Sequence, residues 1–382
     1  MKKAALIMLA AGLFFISLDA QAQWNSAQRI TWTEGESYDP VIAVDSSNHL
    51  HVLWYDYTPG NAEIYYKRSE YGGNSWTAAT RITWNSGAST DPAVAVDSSN
   101  HLHVVWFDHT PGNAEIYYKR SEDGGNSWSA GRRLTWTTEF SQYPAIAVDS
   151  LNRLHVVWQD SLPGNYEIYY VMSEDGGVSW TSPRRLTWTS GYSKYPAISI
   201  DASDRLHMAW VDETPLNYEV YYKRSDDGGD NWTAGQRLTW TSGSSSDLAI
   251  VFGSSGNPYL FWDDNSSGLY EVYAKKSEDG GDSWLAAQRL TWTEGSSSSP
   301  AVSIDSLGEL HLAWEDFTPG HAEIFYKQST DGGDSWTTGQ RLTWNWGHSY
   351  SPSMAADSLD RLHVVWNDET PGNREIYYIR KD

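Results

Sequence analysis

Tryptophan recurs in this chain at a step of 52 residues, without slippage. Trp54, Trp106, Trp158, Trp210, Trp262, Trp314 and Trp366 form one series. Trp32, Trp84, Trp136, Trp188, Trp240, Trp292 and Trp344 form a second, and Trp24, Trp76, Trp128, Trp180, Trp232, Trp284 and Trp336 a third. Of the 22 tryptophans only Trp346 lies outside them. A period of this size belongs to propellers and solenoids, in which each repeat buries its apolar face against the next.

The strand content of one repeat decides between the two. Residues 93–96 are a short apolar run ended by the turn formers Asp97-Ser98-Ser99-Asn100. Residues 102–106 read as a second strand, closed by Asp108 and the turn Thr110-Pro111-Gly112-Asn113. Residues 115–120 read as a third, and Gly124-Gly125 turns the chain towards a fourth at 133–136. Nothing in the unit has a helical period or cap spacing. Four short antiparallel strands make the blade of a propeller.

The chain ends show how the ring closes. Residues 24–33 hold a fourth strand with no blade before it, and residues 375–378 are a third strand with no fourth after it. The two fragments complete one blade. The predicted fold is therefore all-β: one seven-bladed propeller of four-stranded antiparallel blades over residues 23–382, closed by residues 27–33 beside 374–380. Closure removes the exposed sheet edge that an open array would present; a monomer is expected.

Composition removes several functions. The net charge is −22, from 27 basic and 49 acidic side chains, and no basic stripe offsets it. That is a poor match for nucleic-acid phosphates. The absence of cysteine excludes a disulfide scaffold, a thiolate nucleophile, a zinc ribbon and an iron–sulfur cluster. Residues 1–22 read as an export signal: Lys2 and Lys3, an apolar stretch over 4–18, then Ala20-Gln21-Ala22 with cleavage after Ala22. The stretch falls short of the roughly 20 residues of a membrane span, and no later segment is apolar enough. A secreted or periplasmic product without a membrane span is expected.

The third turn of the repeat reads Ser121-Glu122-Asp123-Gly124-Gly125-Asn126-Ser127-Trp128 and recurs at 173–180, 225–232, 277–284 and 329–336. The copy at 69–76 carries Tyr71 in place of the Asp. This turn resembles the Asp-box, or BNR repeat, of sialidase-like β-propellers. The resemblance implies that the box joins the third and fourth strands on the face away from the ligand site, where it acts as a folding device. It also raises sialidase chemistry, in which three arginines clamp the substrate carboxylate, a Tyr–Glu pair supplies the nucleophile and an Asp is the acid/base. The arginines argue against that activity here. Of the 17, all but Arg374 occupy positions shared by two or more repeats, and a ring spreads such positions apart. No catalytic residue, cofactor or metal is expected.

Repeated polar positions have structural readings. Glu63, Glu115, Glu167, Glu219, Glu271, Glu323 and Glu375 face the arginines of the fourth strand, so that Glu63 is expected to pair with Arg81. Asp56 and its six equivalents are expected to accept backbone bonds in the following turn. Histidine at 51, 103, 155, 207, 311 and 363, with Tyr259 in the remaining place, is spread around the ring and reads as packing rather than a metal set. An axial calcium has no loop motif to support it. Ser37 and its equivalents either cap the innermost strand or present a ring of hydroxyls.

The repeats diverge just after that Ser, on the face opposite the Asp-boxes. Tyr38, Asp39, Asp91, Tyr143, Tyr195 and Asp247 occupy the divergent positions, and the seventh repeat adds Trp346, His348 and Tyr350. These nine residues are the candidate ligand-binding set, suited to a glycan or a protein loop. Near-identical repeats favour binding over catalysis, since avidity rewards copies. The expected function is an exported, non-catalytic propeller that binds glycans or another extracellular ligand. The alternatives are a sialidase-like glycoside hydrolase working from Asp39, Asp91 or Asp247, and a protein-interaction scaffold.

Overall fold

In each repeat the second strand is an almost continuous run of apolar residues, because both of its faces are covered. The computed structural model describes residues 23–214, 216–253 and 255–382; the expected export signal at 1–22 lies outside the described residues. Seven four-stranded sheets follow one another along the chain. In the second blade they are Ser89–Val96, Leu102–Asp108, Glu115–Ser121 and Arg132–Arg133, from the axis outwards. The middle pair is in register from Leu102↔Ser121 to Asp108↔Glu115. Val105 packs with the third blade while Val104 and Trp106 pack with the first, so every blade shares its core with both neighbours.

The ring closes as the chain ends imply. Gln28–Arg29 pairs antiparallel with Glu375–Lys381, with Gln28 opposite Tyr378 and Arg29 opposite Tyr377. Two boundaries differ from the sequence expectation. The fourth strand pairs over only two residues, because the side chain of Thr135 takes over the ladder: the Ile116 amide donates to its Oγ1 at 2.9 Å, while the Leu134 amide donates to the Ile116 carbonyl at 2.7 Å. The innermost strand begins earlier, at Ser89, and crosses a bulge between Thr90 and Ala93.

The Asp-box is a socket for the preceding blade. Within it the Gly125 amide donates to Ser121 Oγ at 2.8 Å, and the Ser127 amide to Asp123 Oδ1 at 2.8 Å. Gly125 has φ +87°, and a Cβ there would lie 2.1 Å from the hydroxyl of Tyr66 on the first blade. Tyr66 packs edge-on against Trp128 at 5.2 Å and bonds His51 Nδ1 at 2.8 Å. The recurring histidines are thus packing groups, as the ring argument required.

The fifth blade breaks this arrangement. Tyr259 replaces the His, Ala274 replaces the Tyr, and a cavity of about 300 Å³ opens beside Phe261, Leu285 and Trp336. Restoring the pair with Tyr259→His and Ala274→Tyr is expected to stabilise the protein by about 0.5–2 kcal/mol through cavity filling. A denaturant midpoint that stays put or falls would show that the present packing is already optimal.

Candidate functional site

The face opposite the Asp-boxes is held by buried carboxylates. Glu63 is fully buried and accepts from Arg81 Nη2 at 2.7 Å and the Asn85 amide at 2.8 Å. The same Arg–Glu contact recurs in every blade, between 2.5 and 3.1 Å. The expected cross-strand pair is therefore found, and these glutamates are committed to structure. Asp56 Oδ1 accepts from the Thr58 amide at 2.7 Å, and its Oδ2 from Ser37 Oγ at 2.7 Å. The serine ring is buried in this contact, so the hydroxyls are not displayed.

Above these bonds the innermost strands converge on the axis. Asp39, Asp91, Tyr143, Tyr195, Asp247, Ser299 and Ser351 sit at the bulge with φ between +45° and +51°. Left-handed backbone is uncommon for such residues and costs about 1–3 kcal/mol where the surroundings impose it. The bulge interrupts the ladder, and these side chains line an axial funnel of about 390 Å³. Tyr143 and Tyr195 meet edge to face at 4.9 Å.

A second ring, missed in the sequence, lies against the first. It is the residue after the buried Trp of each second strand: Tyr55, Phe107, Gln159, Val211, Asp263, Glu315 and Asn367. Tyr55 Oη donates to Asp39 Oδ2 at 3.2 Å, the Tyr195 amide to Gln159 Oε1 at 3.0 Å, and the Ser299 amide to Asp263 Oδ2 at 3.1 Å. Seven different residues at one position of a near-identical repeat was the available signal.

Burial sets the chemistry of the funnel. Desolvation, helped by the charge of Asp39, pushes Asp91 up to about 7. Burial likewise lifts Glu315 to about 7. Asp263 is raised by burial first and by neighbouring Asp247 second, and burial, helped by the charge of Asp39, raises Asp247 in turn. Near neutral pH the site therefore offers carboxyl O–H donors as well as acceptors.

Of the nine residues singled out in sequence, Asp39, Asp91, Tyr143, Tyr195 and Asp247 line the funnel. Tyr38 and Tyr350 stand together nearby, with the Arg374 guanidinium 4.6 Å from one ring and 5.1 Å from the other. His348 stacks on Tyr350 at 5.2 Å. Arg374 Nε is held by Glu369 at 2.8 Å. Trp346 joins neither group and is 98% exposed. Among the described residues one set has metal-ligand spacing, Asp305, Glu309 and His311 within 4.8 Å of one another, in the first turn of the sixth blade and away from the funnel. No helix among the described residues is long and apolar enough to cross a membrane.

The profile of the BNR repeat-like domain family matches residues 60–311 and 116–364. No curated protein sequence matches the chain. Among solved structures, an ulvan lyase bound to -[GlcA(1-4)Rha3S]- is similar with a TM-score of 0.67 at 10% identity, over 92% of this chain and 95% of that one. The intramolecular trans-sialidase of Ruminococcus gnavus gives 0.54 at 13% identity, over 93% and 97%. An α-L-arabinofuranosidase of Fusarium graminearum gives 0.57 at 13% identity, over 76% and 92%. At these identities the likeness is one of fold.

Proposed function

Because this chain belongs to the BNR repeat-like domain family, we propose that it is an exported, non-catalytic carbohydrate-binding propeller that takes a sugar in the axial funnel. The observation that carries this reading is the convergence of divergent positions. Where the repeats stop repeating, they supply Tyr143, Tyr195, Asp39, Asp91 and Asp247 to one concave surface. Tyrosine rings suit the C–H faces of a pyranose, and carboxyl groups suit its hydroxyls. The arginines support a non-sialidase reading, since the outer-strand set is spent on buried glutamates and Arg374 on Glu369. A carboxylate clamp needs convergent guanidinium groups. The similar structures act on polysaccharides or sialosides, which agrees with a carbohydrate ligand.

The test is a glycan array probed with residues 23–382 and with Tyr143→Ala/Tyr195→Ala. Loss of the double variant's signal by tenfold or more is expected. Asp91→Asn, which keeps the funnel's shape, should lose several-fold. Unchanged binding by both folded variants would sink the reading.

One observation favours a second reading, hydrolysis. Asp263, close to Asp247, and Glu315 retain protons near neutrality, as a general acid must. Turnover of a fluorogenic sialoside or arabinofuranoside by the wild type, abolished in Asp263→Asn, would replace the binding reading with this one.

A further inference from the structure

The second tryptophan series is not core. Trp32, Trp84, Trp136, Trp188, Trp240, Trp292 and Trp344 are 66–76% exposed, whereas Trp54 and its equivalents are buried. A lone exposed apolar side chain needs no explanation, but the same indole exposed in all seven blades does.

Each indole is held in place from beneath. Arg29 Nε donates to the Thr31 carbonyl at 2.7 Å, Thr31 Oγ1 to Glu375 Oε2 at 2.5 Å, and the Thr33 amide to Glu375 Oε1 at 2.9 Å. One buried carboxylate thus fixes the backbone on both sides of Trp32. The Arg29 guanidinium lies 5.6 Å from the indole centroid, and the equivalent arginines lie 4.3–5.9 Å from theirs. Lys67 of the next blade donates to the Ile30 carbonyl at 2.5 Å and stands 5.6 Å from the same ring. The ring is oriented before any ligand arrives, so little freedom is lost on contact.

We propose that these seven indoles are equivalent carbohydrate-stacking platforms, each taking one pyranose by its C–H face, so that a repeating polysaccharide is held around the ring by avidity. This rests on the carbohydrate reading of the protein and adds to the funnel a second, multivalent contact for long polysaccharides. A protein partner fits the arrangement less well. Protein interfaces need a contiguous desolvated centre, whereas these rings stand one to a blade, each followed directly by a polar Thr or Asn. A single aromatic face matches a single sugar, and weak single contacts joined on one chain gain about 10²–10⁴ in effective affinity.

The test is affinity electrophoresis of residues 23–382 through gels containing laminarin, xyloglucan, hydroxyethylcellulose or alginate. Variants carrying one, two, four and seven Trp→Ala changes in this series run beside Tyr143→Ala/Tyr195→Ala. Retardation should fall stepwise with the number of indoles removed, by 100-fold or more for all seven, and the funnel variant should keep the part of it that depends on the indoles. On the unaltered protein, the retarding polysaccharide should reduce the acrylamide-accessible fraction of tryptophan emission, a readout independent of how the variants fold. Equal retardation of the wild type and a folded seven-fold variant overturns the proposal. So does no retardation of the wild type in any gel, while the funnel reading is judged separately by its array. Retardation lost only in the funnel variant overturns the rim proposal and supports the funnel.

Discussion

Replacing Glu375 with Ala is expected to cost about 3–5 kcal/mol, the range for removing one partner of a buried ion pair, and to cost more than the same change at Glu167. Both carboxylates are fully buried and both hold an outer-strand arginine, at 2.6 and 2.7 Å. In the third blade Arg185 is tethered to Glu167 by an 18-residue hairpin. In the closing blade Arg29 is 346 residues away from Glu375, so non-covalent contacts alone keep the N-terminal strand in place. Losing Glu375 also strands Thr31, which is buried, and frees Ile30 from the core it shares with Val52 and Ile376. Closing so long a loop is entropically costly, and the open ring exposes a strand edge. Glu375→Gln keeps the acceptor and should fall between the two. Denaturant midpoints of the three variants decide the matter, with hydrogen exchange at Ile376, whose amide donates to Thr31 Oγ1 at 2.7 Å, and at Tyr378 reporting the local opening. Equal losses at Glu375 and Glu167 would mean that the N-terminal strand contributes nothing special to closure.

The closure and the Glu–Arg pairs were legible in the sequence because both depend on register. The unmatched strands at the two ends could only meet each other, and an antiparallel third turn places Glu63 near Arg81 wherever the pairing starts. The funnel was half legible. Divergence after Ser37 pointed to Asp39, Asp91 and Asp247, but a bulge is invisible in sequence, and strict alternation would not single out the residue that turns to the axis. Tyr350, next to a funnel position, stacks on His348 instead, and Trp346 joins neither. Tyr55, Asp263 and Glu315 were missed because they lie within a strand whose repeated Trp and Asp neighbours make it look uniformly structural. The exposed indoles were counted correctly, but their exposure was not read from the sequence. Trp32 and Trp54 recur with the same period, and only alternation from buried Ile30, broken by buried Thr31, separates the exposed one from the core one.

Acidification should reveal a balance between the packing histidines and the funnel. Burial holds His51, His103, His155, His207, His311 and His363 below their ordinary 6.5, with His207 and His363 at about 4. These rings are neutral when folded and take up protons when unfolded, so the stability they contribute is present above pH 6.5 and lost as the pH falls. Each such proton is worth about 1.4 kcal/mol per pH unit between the folded and unfolded values, so the six together steepen the loss of stability in acid. Asp91, Asp263 and Glu315 act in the opposite sense. Their folded values are raised towards neutrality, so they keep protons that the unfolded chain releases above pH 4. Their contribution grows as the pH falls through 7, offsetting up to about 4 kcal/mol per unit. The triple variant Asp91→Asn, Asp263→Asn, Glu315→Gln removes the offset. It should be more stable than the wild type at pH 8, where the ionised carboxylates are crowded. Its advantage should shrink as the pH falls through 7 and vanish near pH 4, where the wild-type carboxyls are protonated in both the folded and the unfolded chain. Denaturant midpoints measured from pH 4 to 8 give both curves. Parallel curves would show that the funnel carboxyls titrate alike in the folded and unfolded chain, and with that the proton-holding site assigned to them would be lost.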